Sequence, residues 1–159
     1  MEPLAEQVPT KPRRRAILVP VVLLLLIAGV GGWYAYSTNP AIICRNELPA
    51  FLAQTEVVVR EWDDAAKVAG QTPRMALAVQ IANLQDVRRR TQDIPTPACA
   101  QEVKGHLITT MDASIDAYVS FLGQQSESQV AAHFSTANKA MADYATTLTR
   151  LRLETGLLQ

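Results

Sequence analysis

The side chains with catalytic or metal-binding chemistry are sparse and badly spaced for it. There are two cysteines, Cys44 and Cys99, and two histidines, His106 and His133. A zinc site needs three or four ligands, and a di-iron helical site needs Glu-x-x-His pairs from two helices. Glu102 and His106 are one residue too far apart for that motif, and no second copy exists. The Cys-x-x-Cys-His run of covalent haem is absent. Asp112 and Asp116 are spaced i,i+4, as a general acid/base pair would be, but two carboxylates on a solvated helix face are the commoner case. Trp62 beside Asp63 and Asp64 suggests a sugar or amine contact; the simpler reading puts Trp62 in a core and the aspartates at the surface. Ser114, Ser120 and Ser135 lie in no nucleophile motif, and no glycine-rich phosphate loop occurs. No catalytic, cofactor-binding or metal-ligating residue is therefore expected, and the chain reads as a non-enzyme.

Where these residues reside depends on the N-terminal third. Residues 16–43 contain no charge, and Ala16–Tyr36 is almost wholly apolar. Twenty-one helical residues cover about 31 Å, the thickness of a bilayer's hydrocarbon core. Pro20 falls in the first turn, where a missing N–H costs little. Lys11 and Arg13–Arg15 precede the run, and no basic residue follows it before Arg45. The positive-inside rule then leaves residues 1–15 in the cytoplasm as a disordered tail. It makes 16–37 a single transmembrane helix with Trp33, Tyr34 and Tyr36 at its outer interface. Everything beyond lies outside the cytoplasmic membrane, in a periplasm or at the cell exterior. The rival, a cleaved signal peptide, would have too long an apolar region and a poor site at Ala35–Ser37. Within the span, Ala28 and Gly32 form one small-xxx-small pair that would allow a homodimer.

That location bears on the cysteines. A lipid-attachment cysteine follows small residues, whereas Cys44 follows Ile42 and Ile43 and lies 29 residues beyond Arg15. Two cysteines outside the cytoplasm ordinarily pair, so a Cys44–Cys99 disulfide is expected.

The elements that carry these residues are all helical. With 38–44 as a linker, residues 45–159 form an all-α domain without strand-type alternation. Helix 1, from about Glu47 to Ala69, would bury Leu48, Phe51, Leu52, Thr55, Val58, Val59, Trp62 and Ala66. Helix 2 starts with Thr72 as cap and Pro73 in the first turn, and buries Leu77, Ile81, Leu84, Val87 and Thr91. Helix 3 repeats that start with Thr96 and Pro97, and its stripe runs from Cys99 through Val103, Leu107, Met111, Ile115 and Tyr118 to Leu122. Helix 4 opens with Ser126 and Gln129 in capping-box spacing. It shows a regular seam of Val130, Phe134, Ala137, Met141, Tyr144, Leu148 and Leu151, with Gly156 as C-terminal cap. Four helices of similar length with short loops predict an antiparallel up-down four-helix bundle stapled by one disulfide. Helices 1 and 3 then run the same way, with both cysteines at their membrane-proximal ends. A three-helix core with a partly detached fourth helix is the structural alternative. Paired around the turn near Gln125, His106 faces Tyr144, about 16 Å from His133.

Two surface features remain. The run Arg88–Arg90 lies on the helix that returns towards the bilayer, and Arg150 and Arg152 should sit at the same end. Together they predict a collar against anionic lipid headgroups. Trp62, Phe134 and Tyr144 are the candidate lining of a ligand pocket between helices. Residues 45–159 hold eleven basic and thirteen acidic side chains, a net charge of −2 that argues against nucleic acid as a partner.

The stretch "EWDDAAKVAGQTPRMALAVQIANLQDVRRR", the "IPTPAC" that follows and the "MDASIDAYVSFLGQ" helix resemble helical extracytoplasmic domains of uncharacterised bacterial membrane-anchored proteins and lipoproteins. The resemblance covers roughly Cys44 to Leu151 and implies no activity. The chain is superficially similar to chemoreceptor sensor bundles, but shows one apolar span rather than two and no long signalling region. The expected function is a membrane-anchored, non-enzymatic interaction or scaffold module with a protein partner in or near the membrane. A small-ligand-binding sensor or accessory domain is the alternative.

Overall fold

The computed structural model describes residues 39–156. The tail, the span expected over 16–37 and the Ala28–Gly32 pair lie outside them. Among the described residues no helix is long and apolar enough to cross a membrane. The described chain is all-α: α1 is Pro40–Gln71, α2 Leu77–Asp93, α3 Gln101–Leu122 and α4 Glu127–Thr155. Short 3-10 turns at Arg74–Ala76 and Ala98–Ala100 precede α2 and α3.

Helix α1 begins seven residues earlier than its sequence pattern predicts, and residues expected to be a linker form its first turns. The helix runs through Pro49, a residue that ordinarily marks a first turn. Burial on both sides holds it together, since Cys44 and Leu48 precede the proline and Phe51 follows. In the rest of the α1 stripe Thr55, Val58 and Trp62 are buried as the spacing predicts, while Leu52, Val59 and Ala66 are half-buried.

Neither threonine-proline pair caps a helix. The Thr72 hydroxyl donates back to the Val68 carbonyl at 2.7 Å, and that of Thr96 donates to the Ile94 carbonyl at 2.8 Å. Pro73 and Pro97 are extended, and each carbonyl accepts an N–H three residues on, from Ala76 and Ala100, at 2.9 Å. A 3-10 turn therefore leads into each helix. The predicted capping box of α4 is present: Ser126 Oγ accepts from the Gln129 N–H, and Gln129 Oε1 accepts from the Ser126 N–H. Gly156 closes α4 in the left-handed conformation, φ 71°. In the α3–α4 turn the left-handed residue is Gln124, φ 57°, not the preceding glycine.

Consecutive helices pack on one another, and the cross-links fix their directions. Arg90 near the end of α2 pairs with Glu61 on α1, and Arg150 near the end of α4 pairs with Glu102 at the start of α3. Both pairs require antiparallel neighbours. Two links join α1 to α3 and the 3-10 turn that leads into it: the Cys44–Cys99 disulfide, separation 55, and the Tyr118 hydroxyl donating to the Ala66 carbonyl, separation 52. Nearly equal separations mean that α1 and α3 run the same way. The disulfide expected from sequence is thus present, with a Cα–Cα distance of 6.0 Å.

The helices are unequal. Helix α2 has 17 residues against 32 in α1, so the segment Ile94–Pro97, extended at both ends, spans the rest of the way to Cys99. Lys104 fixes that crossing by donating to the carbonyls of Gln92 and Ile94 at 2.6 and 2.8 Å; burial pushes its ammonium below its ordinary pKa, partly offset by Asp93.

The core contains Leu48, Leu77, Leu84, Val103, Leu107 and Met111. Helix α4 departs from expectation. Of its seven seam residues only Ala137 and Leu151 are buried, while Val130, Phe134, Met141, Tyr144 and Leu148 are half-buried. Ala140 and Thr147 are buried instead. Helix α4 packs closely along α3 and barely approaches α1 or α2, so small residues face the tight contact and large ones line its margin.

Two core substitutions should act in opposite directions. Leu84→Ala removes a fully buried side chain and should cost about 2–5 kcal/mol in urea unfolding. Thr55 is 2% exposed and its hydroxyl lacks a hydrogen-bond partner. Thr55→Val keeps the shape and should stabilise by about 1 kcal/mol.

Candidate functional site

The five arginines expected to form one collar fall into two groups, one near the end of α2 and one near the end of α4. Arg88 makes a two-pronged contact with Asp112, Nε to Oδ1 at 2.8 Å and a terminal nitrogen to Oδ2 at 3.0 Å. The Asp112 hydrogen bond raises the Arg88 pKa, opposed by partial desolvation. Arg89 pairs with Asp86 at 2.9 Å, and Arg90 with Glu61 at 2.6 Å. Arg150 pairs with Glu102 at 2.9 Å, and Arg152 is half-buried near enough to Tyr144 to act on its charge. Glu61 lies about 25 Å along α1 from Cys44, and Asp112 about 15 Å along α3 from Glu102. The arginine run is therefore well separated along the axis from Arg150, and four of the five arginines are engaged by carboxylates of their own domain. Spacing within one helix could not reveal Asp112 as the partner of Arg88, because the two lie 24 residues apart on different helices.

Among the described residues no group of three or more His, Cys, Asp or Glu side chains could hold a metal ion. His106 lies 3.8 Å from Glu102. The Ser114 hydroxyl donates to the Thr110 carbonyl at 2.8 Å, and no described hydrogen bond joins a histidine to a serine.

The aromatic residues fare differently. Trp62, 4% exposed, and Phe134 line one cavity of about 220 Å³, together with Ser114, Tyr118 and Met141. Tyr144, ten residues beyond Phe134, is not in its wall. The residue missed by sequence is Tyr118, whose ring meets that of Phe134 edge-on at 5.5 Å. It stands in the predicted stripe of helix 3, so periodicity alone marked it as ordinary core. The same pair borders a second cavity of about 250 Å³, with Gly70, Leu77 and Phe121. A third, of about 610 Å³, lies between the start of α1 and the end of α4 and includes Ile43, both cysteines and Leu151. All three have α1 on one wall and α4 on the other, where the bundle is not closed.

One end of the bundle is apolar outside as well. Val68 ends α1, Met75 lies in the following 3-10 turn, Val79 begins α2, and Val119 and Phe121 end α3. Among the described residues these are five of the eight exposed large apolar side chains, Met75 being fully exposed and Val79 65% exposed. With α1 and α3 co-directional, all five lie toward the end opposite the disulfide. The sequence signal for them is that each stands off its helix's buried stripe.

Compared with known proteins, the chain matches no family model, no curated protein and no solved structure. The class it defines is therefore structural: an all-α domain of four helices carrying one disulfide.

Burial raises the Tyr118 hydroxyl above its ordinary pKa of 10.0, and that of Tyr144 likewise, the latter partly offset by Arg152. A raised folded-state pKa contributes stability below the unfolded value that is lost as pH climbs through the folded one. The urea midpoint should fall above about pH 10, and less steeply in Tyr118→Phe. That variant should also lose about 1 kcal/mol at neutral pH, with the hydrogen bond to the Ala66 carbonyl gone.

Proposed function

We propose that the chain is a single-pass, membrane-anchored protein whose helical domain, outside the cytoplasmic membrane, is a non-enzymatic interaction module. The observation that carries this reading is the apolar end formed by Val68, Met75, Val79, Val119 and Phe121. Scattered apolar side chains are normal on a surface; their concentration at one end of the domain is what marks a contact site. The anchor is supported by the uncharged run 16–43 and the basic residues before it. The disulfide fits an oxidising compartment. The apolar end lies opposite the disulfide, where a second protein can reach it.

A photo-crosslinking residue placed at Met75 in the full chain should yield an adduct with a different protein, lost when Phe121 is changed to Asp. The same residue at Glu154, at the opposite end, should not yield it. Identical adducts from both positions, or an adduct only with a second copy of the chain, would contradict this reading.

The second reading, a small-ligand-binding accessory domain, is favoured by the cavity that brings Trp62 and Phe134 together with Tyr118. Its volume, below the roughly 300–1,000 Å³ of drug-sized sites, suits only a small molecule.

A further inference from the structure

We propose that Cys44–Cys99 is a reducible clasp on a helical lever, the segment Pro40–Glu47, which is hinged at Pro49. Three observations meet here. First, α1 runs through Pro49. A proline nitrogen has no hydrogen to donate, so the Arg45 carbonyl loses its helical partner, and the ring crowds the preceding turn. The helix is weakest at that point.

Second, of residues 40–47 Cys44 alone is buried, while the fully buried core begins at Leu48. Cys44 is thus the lever's buried contact with the core, and the disulfide its covalent fastening. Third, the disulfide is in the wall of the 610 Å³ cavity, with Cys99 the more exposed of its two residues.

A small dithiol can enter that cavity. Its thiolate attacks Cys99 Sγ, forming a mixed disulfide and expelling Cys44 as a thiolate that takes up a proton. The second thiol of the reductant then displaces Cys99, which is protonated in turn, and leaves as a cyclic disulfide. Two electrons pass from the dithiol to the protein. Arg45 lines the same cavity and favours the departing thiolate by its charge. Reduction releases the lever, while the interfaces from Phe51 onward stay packed. This device stands independently of the partner reading.

The test is hydrogen exchange on the full chain, oxidised and after treatment with dithiothreitol without denaturant. These are the chain's only cysteines, so thiol titration reports this bond alone. The expected result is two free thiols and exchange at residues 42–47 faster by about tenfold or more, with residues 55–66 and 103–118 still protected. Reduction that requires denaturant, protection lost throughout, or unchanged exchange at 42–47 would each overturn the proposal. Pro49→Ala restores the missing hydrogen bond, and the reduced variant should keep more protection at 42–47 than the reduced parent. Equal exchange in the two would remove the hinge.

Discussion

Helix α3 is buried on two sides, and the arrangement of the other three helices follows from that demand. One stripe, Val103, Leu107, Met111 and Ile115, joins the large apolar core. A second, Thr110, Ala113, Ala117 and Ser120, consists of small residues. Small side chains let two helix backbones approach closely, and α4 offers matching ones in Ala137, Ala140 and Thr147. The large stripe calls for α1 and α2; the small stripe calls for α4. A helix that satisfies both leaves α1 and α4 on either side of itself, without bringing them together.

The open α1–α4 side accounts for several features that otherwise look unrelated. It is why Phe134, Met141 and Tyr144 remain half-buried although their spacing is that of a bundle seam. It is why the cavities lie along that side. The two links from α1 to α3, the disulfide at one end and the Tyr118–Ala66 hydrogen bond towards the other, set the register of α1 where no α4 packing does.

The polar surface is self-contained by comparison. Arg88, Arg90 and Arg150 each reach a carboxylate on a neighbouring helix. Such partly exposed pairs contribute little to stability, but they set antiparallel directions and leave less free positive charge for an anionic partner. The apolar end is where the surface departs most from the ordinary.

Much of the fold was legible in the sequence because it rests on local rules. Helical periodicity located all four helices and most of the stripes in α1, α2 and α3, and the Ser126–Gln129 box and Gly156 marked the limits of α4. The cysteine pair could be predicted because only one intramolecular pairing exists. What failed were inferences in which local signals compete with packing. Threonine-proline reads as a cap, yet 3-10 turns satisfy those backbones; residues 38–44 read as a linker, yet α1 already begins at Pro40. The unequal helix lengths, the partners of Arg88 and Arg90, the meeting of Tyr118 with Phe134 and the gathering of Val68, Met75 and Phe121 at one end were decided by the tertiary structure alone. Each depends on residues far apart in the chain, and periodicity says which face of a helix turns inward but not which helix it meets.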